Sequence, residues 1–157
     1  MAIAHTLESY IAQRGIPYEV ISHAHSHSSA ETAELAHVPG DRLAKSVILE
    51  DDDGFVMAVL PSTYHIRLGR LSRELNRSGL RLATEKALPD IFDDCELGAI
   101  PPVGLAYGMS TIIDIDLADQ PEIYFEAGDH EKLIRMNRDD FRALMDHAGR
   151  ARFASRM

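Results

Sequence analysis

Two segments of the sequence carry groups that could act on an ester without a cofactor. Lys45 stands just ahead of an apolar stretch, where its ammonium could hold a phosphate or a ribose as a point charge. Residues 98–104 form a loop in which Pro101 and Pro102 lack N–H groups and fix φ. The other amides of this stiff loop could polarise a carbonyl and stabilise an oxyanion; they belong to Gly98, Ala99, Ile100, Val103 and Gly104. Each segment also fits a simpler interpretation, a solvated lysine at the start of a strand and a tight connection.

Three alternating histidines are the second feature with chemical potential. His23, His25 and His27 would share one side of an extended chain, where three imidazoles could bind a metal ion. Asp129 and His130 could add further ligands. Because metal sites usually draw on distant segments, a solvated connection between a strand and a helix is the more ordinary interpretation of the three.

The charge of the chain is uneven. The formal net charge is −9, but residues 67–86 carry +4 and the remaining residues −13. On a helix over 67–78, four arginines fall opposite Leu68, Leu71 and Leu75; these are Arg67, Arg70, Arg73 and Arg77. This face is either solvated or a contact for the phosphates of a nucleic acid.

The periodicity of apolar residues predicts helices and strands in mixed order. Helices are expected over 6–14, 28–38, 67–78, 84–92 and 137–149, and strands over 18–21, 46–49, 55–60, 111–115, 123–125 and 133–136. The expected N-caps include Thr6, Ser28 and Asn137. The fold class is therefore α/β (α+β), with one mixed sheet flanked by helices. We expect a single domain at 1–149 and a frayed tail at 150–157.

The composition indicates a globular protein of the cytoplasm. Apolar residues make up 45% and charged residues 26% of the chain. A single cysteine, Cys95, cannot form an internal disulfide, which fits a reducing compartment. The N-terminus has no basic region followed by an apolar stretch, so no signal peptide is expected.

Five stretches in a fixed order carry a resemblance to a known family. They are AKSVIL around Lys45, FVMAVLP at 55–61, GAIPPVG at 98–104, IIDIDL at 112–117 and YFEAGDHEKLIRM at 124–136. Over about residues 28–146 the chain resembles the YbaK-type aminoacyl-tRNA deacylases, which also occur as the editing domain inserted in bacterial prolyl-tRNA synthetases. The loop has the family's Gly-x-x-x-Pro pattern as Gly98 and Pro102.

The resemblance implies hydrolysis of the ester that joins a wrong amino acid to tRNA. By analogy, Lys45 holds the terminal nucleotide, while Gly98, Ala99, Ile100 and Pro102 present the catalytic loop. Pro101, Gly104 and Gly128 are the further residues expected near the substrate, and Pro101 departs from the small or polar residue of many relatives.

No metal and no cofactor are implied by the resemblance. The expected partner is the acceptor end of aminoacyl-tRNA, contacted by the four arginines, and a synthetase is a further candidate. The amino acid is expected to be small, of the Ala, Ser, Cys or Pro class. Two alternatives stay open: a metal-dependent hydrolase built on the three alternating histidines, and a non-catalytic module that senses aminoacyl-tRNA.

Overall fold

A mixed β-sheet of eight strands organises the chain, of which this computed structural model describes residues 3–96 and 98–157. The strands are β1 (Glu19–Ser22), β2 (Leu43–Asp51), β3 (Gly54–Pro61), β4 (Tyr64–Ile66), β5 (Arg81–Leu82), β6 (Ser110–Asp114), β7 (Glu122–Glu126), β8 (Lys132–Asn137), β9 (Gly149–Ala151) and β10 (Ala154–Arg156). The helices are α1 (His5–Arg14), α2 (Ser29–Ala36), α3 (Leu68–Leu75), α4 (Leu88–Ile91), α5 (Ile115–Ala118) and α6 (Arg138–Leu144). The predicted α/β domain with a mixed sheet is confirmed.

The strand order of the sheet is β1-β8-β7-β2-β3-β6-β9, and β5 pairs separately with β2. The hairpin of β2 and β3 lies at its centre, as the two nearly continuous apolar runs predict. Asp51 stabilises the turn, because its carboxylate accepts a hydrogen bond from the backbone N–H of Asp53 at 2.8 Å. Burial of the hairpin on both faces gives the sheet its fixed register.

The alternation of side chains along β2 defines the two faces of the sheet. Ala44, Ser46 and Ile48 point to the face on which residues 98–102 pack, which we call the loop face. Lys45 and Val47 point to the opposite side, which we call the lysine face.

Helices cover both faces with buried aliphatic and aromatic side chains. On the loop face, Leu7 and Ile11 of α1 and Phe141 of α6 share a core with Phe125 of β7. On the lysine face, Leu71 of α3 packs into a second core, and α2 contributes to a third. Each such side chain contributes roughly 1.5–3 kcal/mol when it is fully buried.

The helix boundaries follow local hydrogen bonds, with one correction. The side chain of Ser28 accepts from Glu31 N at 3.1 Å and that of Asn137 from Asp140 N at 2.8 Å, so these two predicted N-caps are confirmed. Thr6 is not an N-cap. It lies inside α1, and its N–H donates to the distant Asp94 carboxylate at 2.9 Å.

The C-terminal segment corrects the expected frayed tail. β9 pairs in parallel with β6, and β10 pairs antiparallel with β4. Buried Asp114 holds this segment, because its Oδ2 accepts from the backbone N–H groups of Phe153 and Ala154 at 3.0 and 2.9 Å. The last helix, expected to extend to residue 149, ends at Leu144, and Gly149 is the first residue of β9.

Two further expectations concern helices. The helix expected over 84–92 is limited to the four residues of α4. No helix in the described parts of the chain is long and apolar enough to cross a membrane.

Candidate functional site

The sheet has an opening beside β2. β2 and β7 pair in parallel at two positions only, Leu43 with Tyr124 and Ala44 with Phe125. β2 next pairs on that side with β5, at Leu49. Residues 45–48 therefore have no strand beside them on this edge, and Lys45 is the first residue past the last β7 pair.

The loop of residues 98–102 packs over β2 on the loop face. The hydroxyl of Ser46 donates to the carbonyl oxygen of Ile100 at 2.9 Å, which fixes the loop against β2. Pro101 and Pro102 are buried, so the loop is held by packing as well as by its fixed φ angles. The sequence interpretation did not include Ser46, although its position next to Lys45 and its hydroxyl would have allowed it.

The start of the loop lies against a histidine. Gly98 has a φ of 83°, and a Cβ built at this position would lie 3.2 Å from Cε1 of His130. A side chain at Gly98 would thus be strained and crowded. The N–H of Ala99 is already used, because it donates to the carbonyl of Glu96 at 3.1 Å.

The other two glycines expected near the substrate are packed inside the protein. A Cβ at Gly104 would lie 2.5 Å from Oγ1 of Thr111, and one at Gly128 would lie 3.0 Å from Cβ of Ala4. Both glycines are buried, so the structure gives them a packing role.

A hydrogen-bonded cluster anchors the segment that leads into the loop. One carboxylate oxygen of Asp94 accepts from the hydroxyl of Tyr107 at 2.8 Å, and the other from the N–H of Thr6. Burial alone would raise the pKa of Asp94, but these hydrogen bonds outweigh burial and lower the pKa. Burial raises the pKa of the neighbouring Cys95 thiol to about 12, so this thiol is not a nucleophile at neutral pH.

Lys45 lies on the lysine face, where it borders a pocket of about 350 Å³. Its Nζ donates to the carbonyl of Ser62 at 3.4 Å. Because an ammonium has three protons, this long bond leaves others for a ligand. Burial lowers the pKa of Lys45.

The ammonium of Lys45 and the loop do not lie on the same side of β2. Lys45 and Ser46 are adjacent in β2, so their side chains point to opposite faces, and Ser46 is the one that contacts the loop. What the two elements share is the stretch of β2 that no longer pairs with β7, with Lys45 on one face and the loop on the other.

The three alternating histidines do not act as a unit. The side chain of His23 is fully buried, and its Nε2 lies 3.6 Å from Oε1 of Glu126. His25 and His27 are exposed, with ring centroids 5.2 Å apart, and His25 is 5.5 Å from the ring of His130. Across residues 3–96 and 98–157, no group of three His, Cys, Asp or Glu residues is placed to hold a metal ion.

Glu126 at the end of β7 is a buried carboxylate that the sequence interpretation missed. Its Oε1 accepts from the hydroxyl of Thr32 at 2.7 Å, which ties α2 to the sheet beside the opening. Burial raises the pKa of Glu126, which favours the neutral acid. No pattern in the sequence distinguishes this glutamate from a solvated one at the end of a strand.

The arginines of residues 67–77 divide into two groups. Arg77 donates through Nε to one oxygen of Asp51 at 2.7 Å and through Nη2 to the other at 2.5 Å. The Arg77 guanidinium holds the pKa of Asp51 at about 2. This arginine is therefore committed to an internal ion pair.

The remaining arginines of this group face solvent. Arg67 is exposed and donates to the hydroxyl of Ser155 at 2.7 Å. Arg70 and Arg73 are exposed, and within the described chain no hydrogen bond or ion pair engages their side chains.

The fold is an α/β domain in which the central strand β2 changes its neighbour from β7 to β5. Residues 23–144 match the model of the family described as "Aminoacyl-tRNA editing domain". The chain belongs to this family, and the resemblance seen in the sequence is confirmed. The matched segment contains Lys45, the loop and Glu126. A comparison with curated proteins found no match.

Solved structures share the fold at low sequence identity. A protein described as "a putative trans-editing enzyme for prolyl tRNA synthetase" has a TM-score of 0.83 and 21% identity, over 97% of this chain and 96% of that one. The "hypothetical protein APE2540" has a TM-score of 0.84 and 20% identity, over 96% of this chain and 100% of that one.

A third structure places the same fold inside a larger protein. A "Putative signal transduction protein" from Marinobacter aquaeolei VT8 has a TM-score of 0.78 and 21% identity over 95% of this chain. The chain spans 30% of the length of that protein.

Proposed function

We propose that this protein is an editing hydrolase of the cytoplasm, which cleaves the ester of tRNA charged with a wrong, small amino acid. Membership of the editing family supports the substrate class. The observation that carries the proposal is that Lys45 and residues 98–102 both lie at the stretch of β2 that no longer pairs with β7, on its two faces. An acylated ribose seated in this opening would meet a cation and main-chain dipoles together.

Lys45 would bind the sugar-phosphate part of the terminal nucleotide. Its ammonium lies on a half-buried strand and makes one long hydrogen bond, so it can turn toward an anionic or hydroxyl group. Because the surrounding dielectric is lower than that of water, the attraction is stronger here than at an exposed lysine.

The loop would act on the carbonyl. A backbone N–H directed at the developing oxyanion stabilises it, and a loop held by two prolines needs little reorganisation. The oxygen of a water molecule bonds to the carbonyl carbon, the ester C–O bond breaks, and the proton released by water goes to the departing ribose oxygen. A hydroxyl of the substrate or an ordered water would relay this proton.

The proposed size limit follows from the crowding at the start of the loop. Gly98 is exposed but lies against His130, and Ala99 and Pro101 are buried, so we infer that His130 and the loop limit the space for the acyl group. One methylene in such a pocket is worth only ~1–3 kcal/mol of discrimination. The proposal therefore names a class, Ala, Ser, Cys or Pro, and not one amino acid.

The acceptor stem would lie along α3. Arg67, Arg70 and Arg73 are exposed on this helix and could contact phosphates, whereas Arg77 is removed from the proposed set by its ion pair with Asp51. This arrangement would place positive charge near the opening in a protein of net charge −9.

The test is a deacylation screen with purified, untagged protein. It uses tRNAs mischarged with Ala, Ser or Cys, together with Pro-tRNA, and compares wild type with Lys45→Ala. We expect hydrolysis of at least one of these substrates and a loss of most of that activity in the variant. The matched control, Lys86→Ala, removes an exposed lysine outside the opening and should keep wild-type rates.

Three outcomes would contradict the proposal. If no substrate is turned over but charged tRNA still binds, the protein senses aminoacyl-tRNA and does not hydrolyse it. Full activity in Lys45→Ala would remove the lysine from the mechanism. Stoichiometric zinc or manganese in the active protein, with loss of activity on chelation, would support a metal-dependent hydrolase instead.

A further inference from the structure

A chain of buried polar side chains ends at Glu126, and the ester chemistry described above does not use it. Ser26, Thr32 and Glu126 are all buried. The hydroxyl groups of Ser26 and Thr32 are hydrogen-bonded to each other, and the hydroxyl of Thr32 donates to Oε1 of Glu126 at 2.7 Å. Because the single hydroxyl proton of Thr32 is used on the carboxyl group, its oxygen must accept from Ser26. The chain therefore runs in one direction, from Ser26 to Glu126.

His23 lies at the same carboxyl group. Its side chain is fully buried, and its Nε2 lies 3.6 Å from Oε1 of Glu126. The other ring nitrogen, Nδ1, lies 2.7 Å from the carbonyl oxygen of Ala24. Since a carbonyl can only accept, Nδ1 carries the proton. A neutral imidazole has one N–H, so Nε2 presents a lone pair toward Glu126.

This arrangement requires a proton on the carboxyl group. Among the described residues, neither Nε2 of His23 nor Oε2 of Glu126 has a hydrogen-bond partner. A carboxylic acid can donate to the facing nitrogen, whereas a carboxylate would place two acceptors against each other. Burial raises the pKa of Glu126, and the charge of Asp129 acts in the same direction, while His23 and His130 act against it.

The polar chain supports the turn that carries His130. The backbone N–H of Ser26 donates to the carbonyl of His130 at 3.3 Å, and the N–H of His23 donates to that of Glu131 at 2.8 Å. The ring of His130 lies against Gly98, where the loop begins. A shift of the segment that contains His23 and Ser26 would therefore move His130, and with it the contact that limits the start of the loop.

We propose that Glu126 is a positioning residue, which donates as a neutral acid to His23 and thereby holds the turn with His130 against the loop. The inference rests on the proposed function, because the loop is the element proposed to act on the ester carbonyl. Glu126 acts through its neighbours in this role and does not contact the substrate. Its ionised form is not required, which distinguishes the role from that of a general base.

The test compares two substitutions of the same side chain. Glu126→Gln supplies an amide that can accept from Thr32 and donate to His23, so it should keep the wild-type kcat on a mischarged tRNA. Glu126→Leu has a similar size and can do neither. We expect its kcat to fall about 10- to 100-fold, as for a misplacement of about 1 Å. The KM for tRNA should stay unchanged in both variants, because Lys45 and the arginines of α3 are intact.

The matched control is Glu122→Leu. Glu122 lies four residues earlier on β7, and its carboxylate pairs with Arg135. The same substitution should therefore lower the midpoint of thermal unfolding and leave kcat at the wild-type value. Thermal unfolding of all variants separates a loss of stability from a loss of positioning.

Nitrogen-15 NMR of the histidine rings at neutral pH tests the hydrogen bond without any turnover. We expect His23 to carry its proton on Nδ1 in wild type and in Glu126→Gln. A doubly protonated His23 would mean an ion pair with a carboxylate, and a proton on Nε2 would mean the other tautomer. Either result overturns the inference, even if Glu126→Leu does not fold.

The kinetic results give two further ways to overturn it. If Glu126→Gln loses as much kcat as Glu126→Leu, the carboxylate itself is needed. If folded Glu126→Leu keeps its kcat, the carboxyl group does not position the loop. Absence of turnover in wild type on every mischarged tRNA would instead overturn the proposed function, and the positioning role with it, whatever the NMR spectrum shows of His23.

Discussion

The hydrogen bond from Ser46 to Ile100 offers the sharpest test of how the loop is held. Ser46→Ala removes a side-chain hydrogen bond from β2 to the loop of residues 98–102. In this variant the carbonyl of Ile100 loses its hydrogen-bond donor. Because Ile100 is only half-buried, water can replace part of that hydrogen bond. We expect the free energy of unfolding to fall by about 1 kcal/mol, the usual net value of one such bond.

The expected effect on catalysis is larger than the effect on stability. A loop that drifts by about 1 Å from β2 misplaces its main-chain donors, which can lower kcat about 10- to 100-fold. The KM for tRNA should stay unchanged, because Ser46 is not among the residues proposed to contact RNA. Single-turnover hydrolysis of a mischarged tRNA, measured beside chemical denaturation, separates the two quantities.

The matched control is Thr111→Val. Thr111 of β6 also donates to a backbone carbonyl, that of Met109 at 3.0 Å, and this bond does not involve residues 98–102. The free energy of unfolding of Thr111→Val should fall by a similar amount, and its rate of hydrolysis should stay at the wild-type value. If Ser46→Ala loses stability and keeps kcat, the loop is positioned by its packing alone and the reasoning is wrong.

Three further predictions concern charged side chains. Arg70→Ala/Arg73→Ala should weaken tRNA binding and reduce the slope of log K against log salt by about 1–2, since each phosphate contact contributes nearly one. Asp114→Ala should lower the free energy of unfolding by about 3 kcal/mol, because three backbone N–H groups lose a charged acceptor; exchange of the amides of residues 153 and 154 should accelerate. Asp51→Asn should lower Tm at neutral pH, and its difference from wild type should shrink as the pH falls from about 4 toward 2.

The sign of the last prediction follows from the direction of the pKa. The ion pair with Arg77 depresses the pKa of Asp51 in the folded protein to about 2. The ion pair therefore stabilises the protein fully above the pKa of about 3.9 that Asp51 has in the unfolded chain. This stabilisation is lost as the pH falls through the pKa of Asp51 in the folded protein. A Tm difference that is constant across this window would show that Asp51 acts through something other than its charge.

The predictions for Arg70→Ala/Arg73→Ala and for Asp114→Ala have matched controls in the same chain. Arg14→Ala/Arg142→Ala removes two arginines from α1 and α6 on the loop face and should leave the salt dependence unchanged. Asp139→Ala replaces an exposed aspartate in the first turn of α6, so its effect on stability should be small compared with that of Asp114→Ala. Equal losses in both aspartate variants would contradict the anchoring role.

The sequence was informative where local physics decides the structure. The hairpin of β2 and β3 was predictable from two long apolar runs around Asp51 and Gly54, and the ends of α2 and α6 from Ser28 and Asn137. The strands β9 and β10 were not predictable. They have three residues each, and a carboxylate some 40 positions earlier holds them in place.

The residues of the candidate site could be proposed from the sequence, but their arrangement could not. Lys45 and residues 98–102 were proposed from their chemistry and from the family resemblance. The opening was not, because the two-residue pairing of β2 with β7 depends on a parallel register that leaves no pattern in either strand. That Lys45 and Ser46 face opposite sides could have been read from alternation along the strand. The pairing of Arg77 with Asp51 joins residues 26 apart, and helical periodicity alone assigned this arginine to the solvent face.

The pairing of Asp51 with Arg77 has a mechanical consequence. Asp51 ends β2 and Arg77 follows α3, and Nη2 of this arginine also donates to the carbonyl of Gly54 at the first residue of β3. These hydrogen bonds connect the turn of the hairpin to the C-terminal end of α3. A change in the orientation of one element would therefore move the other. If α3 contacts the acceptor stem as proposed, a substitution in this turn would change the angle between the bound stem and β2. The substituted residue itself would contact neither the RNA nor Lys45 nor the loop.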